Sequence, residues 1–316
     1  MNFNSLENKN PTAKSCSELL NEFEKIKTNK ETTPRGVKLN LLGVGHRDVY
    51  NITPPFLIDG KVVMAARVET REDELKSEVC FFEQEDEVTW MKMDIPTLSL
   101  QDPFITKIDE EVVLGGVEVS LPESNSPIQY RTTFYKGKNF NSLEKFSTGP
   151  ERMKDIRIIK LENGHIGVFA RPQGEKYGRG KMAYIELENL EELTSKNILK
   201  AEVIEGLFAP GEWGGANQLH LLGNNKIGVI GHIACYDEKN NKNYYAMSFI
   251  FDITMHTASP VKIIATRADF PEGESKKNDL TNVIFVGGIE KKDGEYYLYA
   301  GLGDIESGKL PIEYPF

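Results

Sequence analysis

The strongest constraint on this chain is a unit that recurs along it: a short β-forming run, an acidic or amide-rich turn, and a second run ending near a charged or polar residue. Its first form is Pro55-Phe56-Leu57-Ile58-Asp59-Gly60-Lys61-Val62-Val63-Met64-Ala65-Ala66-Arg67, and it returns over residues 99–116, 155–171, 217–232 and 282–301. About five copies at intervals of roughly 50–70 residues match the scale of propeller blades built from four strands. Each copy is followed by more β-rich sequence, at residues 78–82, 130–135, 181–185 and 244–251 in the first four. The fifth runs short after Asp304, and residues 37–42 are placed to supply its missing outer strand, closing the ring and hiding an edge. The expected architecture is all-β: a five-bladed β-propeller over residues 37–316. A large β-sandwich would explain the strands but not the repeated unit.

Residues 1–36 read differently, as an N-terminal helical extension. Between Ser15 and Lys27 the spacing sets Leu19, Leu20, Phe23 and Ile26 on one helical face, and Ser15 with Glu18 has capping-box spacing. Thr32-Thr33-Pro34-Arg35-Gly36 is expected to end the helix, whose apolar face packs on the main domain or, as the sharper alternative, on a partner.

Composition narrows function by exclusion. A chain of 316 residues, 39% hydrophobic and 27% charged, has the balance of a soluble globular protein. A net charge of −10 argues against general attraction to nucleic acid or anionic membrane, though not against a local basic pocket. The first residues lack the basic start and apolar core of a signal peptide, so a cytoplasmic address is the expectation. Cys16, Cys80 and Cys235 show no paired spacing and read as reduced structural thiols rather than disulfide or zinc ligands. There is no Gly-Lys-Ser/Thr phosphate loop, Gly-x-Ser-x-Gly elbow or His-Glu-x-x-His helix, so no cofactor and no metal are expected.

In a propeller the inner strands converge on one channel, and equivalent repeat positions meet. At strand starts the repeats offer Asp102, Asp155 and Asn217; near the ends of second strands they offer Arg67, Glu118, Arg171, His232 and Asp304. Carboxylates, arginines and an imidazole round one funnel suit a polyhydroxylated, phosphate-bearing ligand, because the arginine fork matches phosphate oxygens. Asp48 and Asn51 precede the first repeat, where the funnel mouth should be, and are candidate sugar-hydroxyl ligands. Trp213 among glycines reads as a sugar-stacking platform or as core. The glycine-rich residues 174–180 read as a loop near the pocket. Asp102, directly before Pro103, reads as chemistry or as a turn residue.

The Asp102-Pro103 hairpin with its acidic turn, Arg171 closing the third repeat, His232 closing the fourth, and Tyr299-Ala300-Gly301-Leu302-Gly303-Asp304 together resemble glycoside hydrolase family 130, the five-bladed β-mannoside phosphorylases. The chain resembles still more closely the related glycosyltransferase family 108, mannosyltransferase/phosphorylases first known from trypanosomatid parasites. The resemblance runs from about Val37 to the C-terminus. It implies inverting phosphorolysis, or its reverse, on β-1,2-mannosides, with mannose or a mannooligosaccharide and inorganic phosphate, mannose 1-phosphate or a nucleotide-mannose as substrates. Asp102 would exchange the proton with the glycosidic oxygen through a sugar hydroxyl; phosphate, already a nucleophile, needs no second carboxylate as base. Arg157, Arg171 and His232 would bind phosphate, with Tyr244 or Tyr245 as a further donor. Arg67, Asp155 and Asp304 would contact the sugar. The chain departs from family 130 at Phe104, where that family usually has Arg after Asp-Pro, and has no equivalent of its lysine near residues 210–215. A hydrolase would need a second acid about 6.5–9.5 Å away, for which Glu118, Asp155 or Glu212 are candidates. A non-catalytic glycan- or protein-binding propeller is the alternative from another class.

Overall fold

The computed structural model describes residues 13–27, 35–120 and 127–316; the first twelve residues and the expected helix-ending Thr32-Thr33-Pro34 lie outside them. Among the described residues no helix is long and apolar enough to cross a membrane.

The hairpin turns follow from their residues. Asp59-Gly60, Asn224-Asn225 and Asp293-Gly294 have positive φ at both positions, between 50° and 88°, and each links directly paired strands, as in Ile58↔Lys61 and Lys292↔Glu295. Two left-handed residues give the turn whose twist matches the flanking strands, and Asn, Asp and Gly accept it most readily.

The strands form consecutive antiparallel meanders. The first sheet holds Asp48–Tyr50, Phe56–Ile58, Lys61–Thr70, Asp73–Gln84 and Thr89–Lys92. The second runs Gln101–Ile108, Glu111–Ser120, Gln129–Gly137, Glu144–Thr148, and the third Arg157–Lys160, Ile166–Ala170, Ala183–Leu187, Glu202–Val203. A nine-stranded sheet follows. Its first half centres on Trp213–Gly223, Lys226–Tyr236 and Lys242–Asp252, its second on Asn282–Lys292, Glu295–Leu302 and Glu306–Ile312. Among the described residues the strand pairing between the halves is short and parallel, Asn243↔Asn282 and Tyr244↔Val283.

Apolar clusters link these meanders in order. Val63, Phe81, Leu100 and Leu114 join the first to the second; Phe104, Phe134, Ile158 and Val168 join the second to the third. Phe169, Tyr184, Val229 and Phe249 carry the contact onward, and Ile230, Ala246, Ile284 and Leu298 join the halves of the large sheet. Tyr299 then packs with Met64, Phe82 and Trp90, so the succession of interfaces returns to the first sheet.

Residues 37–42 do more than the expected closure. Val37–Lys38 pairs antiparallel with the last strand, Val37 opposite Lys309, but Asn40–Leu42 pairs parallel with Thr89–Lys92 in the first sheet. Leu39 lies buried in the cluster between the two sheets and anchors the segment where it changes partner.

The helix spans Cys16–Lys27. The Ser15 N–H donates to Glu18 Oε2 at 2.8 Å and the Glu18 N–H to Ser15 Oγ at 3.3 Å, a closed capping box. Leu19 is buried and Leu20 and Phe23 pack beside it against the cluster between the third and large sheets, whereas Ile26, expected on the same face, is 69% exposed.

Candidate active site

Four polar residues enter the centre of the molecule from left-handed backbone: Asn51 and Asp102 at φ 48°, Asp155 and Asp304 at φ 59°. Asn and Asp tolerate this region better than other residues with a Cβ. At Asp102 the ladder with Glu111–Ser120 skips register between Gln101 and Phe104; Pro103 has no N–H to give it, so the strand bulges there.

Asp102 is 5% exposed. Its Oδ1 accepts from Asn51 Nδ2 at 2.7 Å and Arg67 Nη1 at 3.1 Å, and Lys154 Nζ stands 3.8 Å from Oδ2. Burial opposes its charge, but Arg67, Lys154 and the Asn51 amide outweigh it, holding the carboxyl below its ordinary range. Behind Arg67 lies Glu69, whose Oε2 accepts from Arg67 Nε at 2.9 Å. Glu69 also accepts from Tyr50 Oη at 2.6 Å, Ser77 Oγ and Lys276 Nζ.

Asp155 Oδ2 accepts from Arg171 Nη1 at 2.7 Å. Burial again opposes the charge, and Arg171 and Lys154 overcome it, so this carboxylate lies well below its ordinary range. Lys154 therefore stands between two carboxylates; burial disfavours its ammonium, yet Asp155 and Asp102 hold it above the usual value. Among the described residues Arg157 has no carboxylate partner at hydrogen-bond distance. It donates to the carbonyls of Asn217 at 2.9 Å and Ile156 at 3.1 Å and lies 4.4 Å from the centre of the Phe104 ring.

His232 is buried, with Nδ1 2.8 Å from Asn217 Oδ1 and its ring stacked on Tyr244 at 5.6 Å. Burial, reinforced by Arg171 and Lys154, brings its value down to about 3, so it is a neutral imidazole near pH 7. With Nδ1–H donating to Asn217, Nε2 is left as an acceptor. It contributes no positive charge.

The sequence-derived residues sort by place. Asn51, Arg67, Asp102, Asp155, Arg157, Arg171 and His232 form this connected cluster, and Asp304 lies close enough for the Asp102 charge to raise its carboxyl. Asp48 is held to one side by two hydrogen bonds from Arg71, at 2.8 and 3.0 Å. Trp213 is 1% exposed, its Nε1 donates to Tyr244 Oη at 3.1 Å, and Arg179 covers its ring at 4.6 Å, so it offers no open platform. Tyr245 points away: strand alternation places Tyr244 against His232 and Tyr245 in the apolar cluster beneath the helix. Glu118 is tied to Arg131 and Lys145, each within 2.9 Å, and Glu212 accepts from the Cys16 N–H at 2.7 Å; neither belongs to the cluster. The glycine-rich loop does reach it, the Arg179 carbonyl accepting from Arg171 Nη2 at 2.7 Å.

Lys154, Glu69 and Lys276 were not anticipated. Glu69 had a signal, since it lies two residues beyond Arg67 and therefore on the same strand face. Lys154 had a weaker one in its adjacency to Asp155. Lys276 comes from irregular chain between the last two meanders, where no periodicity marks it.

Four buried polar atoms here, Asn51 Oδ1, Asp155 Oδ1, Arg171 Nε and Asn217 Nδ2, have no hydrogen-bond partner among the described residues. Donors and acceptors left unpaired together fit a ligand bearing both, as a polyhydroxylated one does. A cavity of about 200 Å³ opens onto Phe104, Arg157 and Asn217. A larger one, about 500 Å³, is lined by Phe146, Thr148, Leu190 and Ser195 and touches none of these residues. The chemistry, not the volume, locates the site.

Asp304 is partly exposed, yet burial first and the Asp102 charge second push its carboxyl up to about 6. A carboxyl raised in the folded state adds stability below its unfolded value of 3.8 and loses it as pH rises through about 6. Asp304→Asn is therefore expected to stabilise the protein by about 1–2 kcal/mol near pH 7.5, a gain that vanishes below about pH 4. Urea titrations at the two pH values check the sign; an equal difference at both would show that the carboxyl carries no such penalty.

The molecule is thus defined as an all-β protein whose meanders enclose a buried cluster of carboxylates, amides and cations. The chain belongs to the family described as "Protein of unknown function (DUF1861)", whose model matches residues 24–316. A mannose phosphorylase from Leishmania mexicana, solved with phosphate ion, is 34% identical, covering 95% of this chain and 93% of its own with a TM-score of 0.87. A GDP-Man-dependent mannosyltransferase from the same organism is 33% identical over 96% of this chain and 95% of its own, with a TM-score of 0.85. The β-1,2-mannobiose phosphorylase of Listeria innocua shares the fold at 14% identity, covering 90% of this chain and 92% of its own with a TM-score of 0.63. No curated protein matches.

Proposed function

We propose that the protein is an inverting β-1,2-mannoside phosphorylase and mannosyltransferase, built as a five-bladed β-propeller. The cyclic succession of apolar interfaces supports the propeller, and mannose-active relatives above 30% identity support the substrate class. The observation that carries the reaction is Asp102, an ionised and buried carboxylate flanked by Lys154.

In the synthetic direction the acceptor hydroxyl attacks C1 of mannose 1-phosphate opposite the phosphate. The C1–O(acceptor) bond forms, the C1–O(phosphate) bond breaks, and the acceptor proton passes to Asp102. The resting charge of Asp102 is the one this direction requires; phosphorolysis runs the same steps backwards with Asp102 as the acid. Arg157 and Lys154 supply positive charge for the departing phosphate, and Arg171, neutralised by Asp155, fixes geometry rather than adding net charge. Neutral His232 accepts a hydrogen bond from a sugar hydroxyl at Nε2.

The test is incubation of mannose 1-phosphate with mannose, following oligosaccharide by thin-layer chromatography and released phosphate by colour. Formation of both supports the proposal. Product only from GDP-mannose would place the chain with the nucleotide-dependent relative, and no product from either donor would reject transferase activity.

Lys154→Met should raise the KM for mannose 1-phosphate about 10–100-fold, the effect of losing one hydrogen bond to a charged group. Because Lys154 lowers the Asp102 value, its removal should also move the acid limb of the synthetic pH profile upward. A profile that does not move would separate Lys154 from the proton-transfer group.

A further inference from the structure

Cys16 and Cys235, 219 positions apart in sequence, come together in the fold. Trp213 pairs with Ala234, which sets Glu212 and Cys235 opposite one another at the end of the sheet, and the helix brings Cys16 down on them. The two Sγ atoms and a Glu212 carboxylate oxygen all lie within 4.8 Å of one another. We propose that Cys16, Cys235 and Glu212 form a binding site for a zinc-like divalent cation, which clasps the N-terminal helix to the large sheet.

Three observations converge. First, Glu212 is already oriented: Oε1 accepts from the Cys16 N–H at 2.7 Å, while Oε2 is buried with no partner among the described residues. Second, the ligand set is thiolate, thiolate and carboxylate, the donors that zinc takes, and tetrahedral bond lengths of about 2.0–2.3 Å need only a small inward movement of these side chains. Third, the surroundings are anionic. Asp237, two positions beyond Cys235, adds a second carboxylate to Glu212 at this end of the sheet. Both Asp237 oxygens are engaged by residues 239–241, so that carboxylate is not the fourth ligand. Cys235 and Glu212 are partly exposed, which leaves the fourth position to water and provides the entry path. A disulfide would use the two sulfurs and strand the Glu212 oxygen; a cation uses all three groups.

The test uses the full chain, reduced, stripped with chelator and given zinc chloride alone. One zinc per chain should survive desalting and raise the thermal midpoint, and cobalt in its place should give a thiolate-to-metal charge-transfer band. Cys16→Ser and Cys235→Ser should lose the metal and the band, Glu212→Gln should bind at least about tenfold more weakly, and Cys80→Ser should behave as wild type. Circular dichroism confirms that each variant is folded. Absence of stoichiometric uptake, or equal uptake by the serine or glutamine variants, overturns the proposal. So does a reduced chain that refuses zinc while a mild disulfide reagent removes two thiols from wild type and none from Cys16→Ser, which would make the pair a disulfide site.

Discussion

Asp102→Asn is expected to lower mannosyl transfer by about a thousandfold, within the range for loss of a positioned acid–base group. The substitution exchanges one oxygen for an NH₂ at a left-handed position that Asn tolerates, so the bulge at Pro103 keeps its shape. What disappears is the site for the proton. The loss should fall mainly on kcat, because the sugar and phosphate contacts proposed for the other residues persist. Removing a charge that Arg67 and Lys154 face also costs stability, by about 1–3 kcal/mol, so the midpoint of unfolding must be measured beside the rate. Activity within tenfold of wild type in a folded variant would move the proton to another group. Asp304, raised toward neutrality beside Asp102, is the one to examine next.

The largest effect on stability is expected at Glu69. Its side chain is fully buried and gathers Arg67, Lys276, Tyr50 and Ser77. Glu69→Gln removes the buried counter-charge that Arg67 and Lys276 share, leaving Arg67 with Asp102 at 3.1 Å and Lys276 with Glu74 at 3.8 Å, and breaking such a group by removing one partner costs about 3–5 kcal/mol. Burial opposes the Glu69 charge, but Arg67 and the donors from Lys276, Ser77 and Tyr50 hold its carboxyl below 4.5. The stabilisation is therefore complete above that unfolded value and fades as pH falls through the lower folded one. Denaturant titrations near pH 7 should show the full difference between wild type and variant, and titrations near pH 3 a smaller one. A difference below about 1 kcal/mol at neutral pH would mean that the cations find other partners. Activity should fall as well, since Arg67 reaches Asp102 from the position Glu69 fixes.

Much of the β architecture was legible because its signals are local. Turns such as Asp59-Gly60 and Asp293-Gly294 declare themselves by residue type, and the repeat carries that information round the chain. Residues 37–42 were recognised as β, but their division between two sheets depends on Leu39 filling a cluster that only the assembled fold creates. Within the site, repeat position found Asp102, Asp155, Arg171 and His232. The resemblance left Tyr244 and Tyr245 as alternatives, because adjacent tyrosines differ only in strand parity, and the fold sets Tyr244 against His232. Glu118 shares a repeat position with Arg171 and His232 but is held by Arg131 and Lys145, and Trp213, read as platform or as core, is buried beneath Arg179. The resemblance places His232 among the phosphate-binding residues, yet its charge depends on burial that no motif records. The sequence separation of Cys16 and Cys235 likewise hid an approach that arises only when the helix docks.

The left-handed backbone at Asn51, Asp102, Asp155 and Asp304 restricts the alphabet available at the heart of the molecule. Where φ is near 50–60°, Asp and Asn are the cheapest occupants apart from glycine. The two differ by one terminal group, nearly equal in volume but opposite in what they offer a ligand. A lineage on this scaffold can therefore redistribute negative charge among four fixed sockets by single substitutions that leave the strands undisturbed. The backbone tolerates either residue at each socket, and a set of Asp/Asn exchanges there would map which charge pattern serves which chemistry.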